Sequence, residues 1–180
     1  MAGTTSSLDL SLPSHAPELL KDYCQTCTFE QGSFAIYTLV PGMSPARVDE
    51  IAAIPQANWE DIELETQLVQ PAKPTPLFAG RPLFDVLQAH AAMDIEVQPS
   101  EHGGASDVGW QPHCFVVITN DNLNDHGLLF VYADTAPDGE GRVAAVDKFF
   151  FKPEDMYVLL SGVVLGSHGF PTLKKFYAVD

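Results

Sequence analysis

Basic side chains are scarce in this chain: 9 Lys and Arg stand against 24 Asp and Glu, a formal charge of -15 over 180 residues. Residues 1–139 hold only Lys21, Arg47, Lys73 and Arg81. Counterion release from phosphates needs clustered cations, so this composition argues against nucleic-acid binding, and an anionic membrane surface would repel the chain. The carboxylates are scattered rather than blocked, which also argues against a mimic of DNA. Cysteine is sparse too: three residues, Cys24, Cys27 and Cys114, cannot make a disulfide framework. Long apolar runs are missing, since the longest, Tyr157 to Gly166, is well short of the ~20 residues that cross a bilayer. The first 16 residues show neither a basic n-region nor an apolar h-region, so no signal peptide is expected and the chain reads as cytoplasmic.

Several catalytic signatures are absent as well. No G-x-S-x-G elbow accompanies His102-Gly103-Gly104, and there is no phosphate-binding P-loop, G-x-G-x-x-G after a strand, or H-E-x-x-H. Asn120 to Asp125 resembles a calcium loop in composition only. Read from Asn120 it lacks the sixth-position glycine and has Val131 where the bidentate acid should be, so an Asx-rich turn is the better reading. Cys24-Gln-Thr-Cys27 has the spacing of half a zinc site. The only adjacent partners, His113 and Cys114, are neighbours on an expected strand and point to opposite faces. No metal site and no cofactor is therefore expected.

What the chain does contain is a core. With 46% apolar and 10% aromatic residues it can bury one globular domain. The expected organisation is a disordered tail over 1–16 and a single α+β domain over 17–180, with an internal seam at the proline-rich 71–82. Ser33 to Val40 reads as a strand stopped by Pro41-Gly42. Ser44-Pro45 then opens a helix carrying Val48, Ile51 and Ala52 on one face, and Glu63 to Gln70 hints at a half-buried strand. Leu83 to Met93 is helical, and Gln98 to Gln111 reads as a surface loop. The continuous apolar runs His113 to Asn120 and Gly127 to Asp134 read as central strands covered on both faces. The connection between them is too short for a parallel crossover, so they form an antiparallel hairpin. Val143 to Phe150 is a third strand, and a helix runs from Pro153 to about Val164. The fold class is α+β: a mixed, largely antiparallel sheet with helices packed mainly on one face.

A symmetric hairpin centred between Leu123 and Asn124 would set His113 opposite Asp134. A carboxylate on one imidazole nitrogen fixes the tautomer and raises the basicity of the other, as a general base near neutral pH requires. The alternative is a polar pair at the sheet rim. Trp110, Tyr132 and Phe149 could wall a pocket beside this pair, or belong to the core. His90, on an apolar helical face, reads as a satisfied core histidine.

The segment from Trp110-Gln-Pro-His-Cys-Phe-Val-Val through Gly127-Leu-Leu-Phe-Val-Tyr-Ala-Asp to Lys152-Pro-Glu-Asp resembles an uncharacterised family of small acidic domains found in bacteria and fungi. The resemblance spans about half of the chain and implies the strand order, with no activity or catalytic residue to carry over.

Two functions fit these residues. One is a cofactor-independent acid-base enzyme of isomerase, cyclase or lyase type. It would use His113 and Asp134 on a small organic substrate, for which a cationic molecule suits the acidic charge. The other is an acidic binding module, immunity-like or inhibitor-like, that captures a basic protein partner. A deep apolar pocket walled by His113 would favour the first. A surface made by Asp49, Glu50, Glu60, Asp61, Glu63 and Glu65 would favour the second.

Overall fold

Strand β1, Phe34–Thr38, is buried at all five positions and has a neighbouring strand on each side. The computed structural model describes residues 8–14, 16–17, 32–60, 67–72, 77–92, 97–99, 106–108, 110–135 and 143–179, with backbone alone for 60, 97–99, 106–108, 135, 143 and 144. After the Pro41-Gly42 turn, where Gly42 takes φ +78°, helix α1 runs over Pro45–Ala52. Its Ser44 cap accepts the Arg47 N–H at 3.2 Å, and proline occupies the first turn, where its missing N–H costs nothing. A second short helix, α2 (Gln56–Glu60), follows, then β2 (Val69–Pro71), then α3 (Leu83–Ala91). Strand β2 is shorter than the alternation predicted, and residues 61–66 lie outside the described residues.

The stretch read as a surface loop contains a two-stranded ribbon, β3 (Val97–Pro99) antiparallel to β4 (Ser106–Val108). Three-residue strands among Gly, Ser and acids leave no alternation to read. The expected central hairpin is present as β5 (Cys114–Ile118) and β6 (Leu128–Thr135), joined through a single helical turn, α4 (Leu123–His126). β7 (Val143–Phe151) pairs antiparallel to β6. A 3-10 turn (Pro153–Asp155) leads into α5 (Met156–Val164), and the chain continues into α6 (Phe170–Tyr177), which the sequence reading missed. The signals were present: an extended Gly169 cap, Pro171 in the first turn, and Lys174 and Lys175 in the last.

The main sheet has the order β2-β1-β5-β6-β7. β1 is parallel to both β2 and β5, while β6 and β7 are antiparallel, so the sheet is mixed and the fold is α+β. Side chains alternate between two cores. One receives Cys114, Val116 and Ile118 from β5 and is covered by α1, α2, α5 and α6 through Ile51, Trp59, Leu160 and Phe170. The other receives Phe115 and Val117 and is covered by α3 through Leu83, Val86 and Leu87. Within the stretch expected to be a tail, Leu8, Leu10 and Leu12 pack on this second core, and Asp9 O accepts the Leu83 N–H at 2.8 Å.

This arrangement places two features. From β1 the chain passes through α1 and α2 on one face to reach β2, then through α3 on the other face to reach β5, so the strand order reverses at β1. In open α/β sheets such a reversal leaves a crevice at the carboxyl ends of the strands. The short β2 also forms one edge of the sheet. Among the described residues no helix is long and apolar enough to cross a membrane.

Candidate functional site

The hairpin register differs by one residue from the symmetric expectation. Cys114 faces Tyr132 and Val117 faces Leu129, and the Ala133 N–H donates to His113 O at 2.7 Å, so the residue opposite His113 is Ala133, not Asp134. The cause is the helical turn between the strands. The Gly127 N–H closes α4 onto Leu123 O at 2.8 Å with φ +68°, which moves the centre of the connection onto Leu123. Asp134 pairs instead with Ala145 of β7, just before a register shift.

His113 is half-buried as a residue, yet its Nδ1 is out of reach of solvent. Burial holds its pKa down at about 4, the opposite direction from a base strengthened by a carboxylate. Its ring lies edge-on against Phe170 at 5.6 Å. Tyr132 stacks on the same Phe170 at 4.7 Å, and Phe149 meets Tyr132 at 6.0 Å. Four of the five expected residues thus gather at one face: His113 and Tyr132 on Phe170, Phe149 on Tyr132, and Asp134 two positions along β6, near enough for its charge to act on Tyr132. Trp110 packs against the opposite core.

Phe170, Asp147 and Lys174 complete this cluster and were missed from sequence. The Tyr132 hydroxyl donates to Asp147 Oδ2 at 3.0 Å, and Lys174 Nζ donates to the same oxygen at 2.6 Å. Burial pushes the Asp147 carboxyl up, but the hydrogen bonds from Lys174, the Lys148 N–H and Tyr132 outweigh it and hold it below its usual value. Burial first, then the bond to Asp147, pushes the Tyr132 hydroxyl upward, so it stays protonated. The network ties α6 to β6 and β7.

A second site lies at the β2 edge. A cleft of about 220 Å³ opens between α1, the start of α2 and β2. Ala52, Ala53, Val69 and Pro71 make its apolar walls, and Asp49, Gln56 and Gln67 supply its polar groups. The spacing follows from α1: Val48, Ile51 and Ala52 turn to the core, which leaves Asp49 exposed on the flank toward β2. Gln56 Oε1 accepts the Leu68 N–H at 3.1 Å, and the Phe34 N–H donates to Leu68 O at 2.8 Å, so the cleft floor is fastened to β1. Among the described residues its one charged lining group is a carboxylate. Toward β5, α1 shows Glu50 and Arg47, and Arg47 is spent on Glu50 at 3.0 Å and Asp121 at 3.3 Å. Arg81 is likewise tied to Asp85 at 2.8 Å. Of the six acids expected to form an acidic surface, Asp49 and Glu50 are exposed, whereas the Glu60 side chain and Asp61, Glu63 and Glu65 lie outside the described residues.

Among the described residues no group of three His, Cys, Asp or Glu is arranged to hold a metal ion. Cys24 and Cys27 lie outside those residues, and Cys114 is buried in the first core. Comparison with known families, curated proteins and solved structures yields no match for the chain.

Proposed function

We propose that this protein is an acidic capture module, of the immunity or inhibitor type, that holds a basic partner by seating a Lys or Arg side chain in the cleft at the β2 edge. One observation carries the reading: the cleft combines apolar walls with the Asp49 carboxylate, the single charged group among its described lining residues. An amphipathic cation has the matching anatomy, an apolar stem for Ala52, Ala53 and Val69 and a charged head for Asp49. The surrounding charge adds long-range attraction, because the two described arginines of residues 1–139 are already engaged by carboxylates.

The test is nuclear magnetic resonance of the full chain titrated with acetyl-Ala-Ala-Arg-Ala-Ala-amide and with its Gln counterpart. Amide shifts at Ala52, Ala53, Gln56 and Val69 are expected with the Arg peptide alone. Asp49→Asn should weaken binding about tenfold, the worth of one charge-assisted hydrogen bond. Equal responses to the two peptides, or an unchanged response in Asp49→Asn, would overturn the reading.

The acid-base enzyme is the second reading, with His113 and Tyr132 as its candidate groups and Phe149 as a wall; it loses Asp134 as the partner of His113, which faces Ala133, and Trp110, which packs on the opposite core. The meeting of His113 and Tyr132 on Phe170, with Phe149 against Tyr132, favours it. It expects a small molecule released on gentle activation in native mass spectrometry of the protein purified from its own source, and lost with Tyr132→Ala. A co-purifying basic protein and no small molecule would count against it.

A further inference from the structure

Helix α5 reads Met-Tyr-Val-Leu-Leu-Ser-Gly-Val-Val and has no charged residue. A helix that is apolar all round is ordinarily covered all round. Here Val158 is 51% exposed, and Leu165, one residue beyond the helix, is 71% exposed. Val158, Gly162 and Leu165 stand at i, i+4 and i+7, a single stripe. Helix α6 crosses α5 in the middle of that stripe, where a Cβ added at Gly162 would lie 3.6 Å from Leu173 Cδ2 and 3.3 Å from Ser167 Oγ. Phe176, one turn beyond Leu173, is 61% exposed. Three large exposed hydrophobics therefore surround one helix crossing.

The charge map says what suits this face. Residues 140–180 carry five acids and five bases, so the whole -15 lies in residues 1–139. A basic partner finds its attraction on the acidic part, and an anionic surface is repelled by it. A second copy is matched to the face itself, where Glu154 and Asp155 before α5 balance Lys174 and Lys175 on α6: two chains that repel elsewhere come together at least cost there. The flanks carry both signs, Lys175 and Glu154, both exposed and the latter only 4.0 Å from Lys152, so that a two-fold axis can pair unlike charges.

We infer that the α5–α6 face is the isologous interface of a homodimer, centred on Val158, Leu165 and Phe176. None of the lining residues of the β2-edge cleft belongs to these helices, so both clefts stay open in the dimer.

Sedimentation equilibrium on the full chain tests this. The expected mass is twice 19.6 kDa. Association should tighten from about 50 mM to about 500 mM NaCl, because salt screens the like charges that oppose it. Leu165→Glu and Phe176→Glu, each at an exposed position, should return the mass to 19.6 kDa with unchanged circular dichroism, and Leu165→Ser serves if either fails to fold. A chain that stays at 19.6 kDa at every concentration and salt, or a dimer that survives these substitutions, overturns the inference.

Discussion

His90 is 1% exposed, and both of its ring nitrogens are used. A backbone carbonyl can only accept, so Nε2 carries the proton that it donates to Gln111 O at 2.9 Å, and Nδ1 accepts from the Tyr37 hydroxyl at 2.9 Å. Burial lowers the His90 pKa to about 4 and pushes the Tyr37 hydroxyl upward. The sign for stability follows. Between pH 6.5 and 4 the unfolded chain binds a proton at His90 that the folded chain refuses, so stability falls as pH drops through that window and levels below it. His113, also held at about 4 by burial, acts in the same direction. Urea denaturation at pH 7 and pH 4.5 should show the midpoint fall. A rise on acidification would mean that the folded core accepts the proton. The sequence had marked His90 correctly as a core histidine from its place on an apolar helical face, but its partners are 53 and 21 residues away along the chain and invisible to any local pattern.

At the scale of elements, Gly127 decides the register of the central hairpin. It takes φ +68°, and a Cβ there would sit 2.6 Å from Phe151 O, a backbone atom that cannot swing away. Gly127→Ala should cost at least ~2 kcal/mol, from left-handed backbone strain plus the clash, and lower the melting temperature by roughly 5 °C. An unchanged melting temperature would show that the β6–β7 pairing yields without loss. Strands β1, β5 and β6 were legible because strands covered on both faces are continuous apolar runs. The one-residue slip at His113 was not legible, because a helical turn and a symmetric turn centred between Leu123 and Asn124 share the same polar composition. α6 was missed because Gly166 and Gly169, just past Val164, have the composition of a helix end. Gly169 in fact serves as the cap of the next.

At the scale of the whole molecule the two proposed interactions respond oppositely to salt. Capture of a basic side chain at Asp49 should weaken with ionic strength, and pairing of two α5–α6 faces should strengthen. Measuring both on one sample separates them, since a general effect of salt on folding would move them together. The -15 charge supplies both trends, attraction for an unlike partner and repulsion between copies.

Composition and local pattern alone determined the charge segregation, the strands covered on both faces, the α1 cap at Ser44 and the α+β class. Each depends on neighbours a few residues apart, or on no neighbours at all. Tertiary structure alone decided that β1 pairs in parallel on both sides, that His113 faces Ala133, that Asp147 and Lys174 join Tyr132, and that Asp49 becomes the charged group of a cleft. These outcomes depend on which distant segments meet. That choice is made by the joint burial of two apolar faces of one sheet, and no window of the sequence contains it.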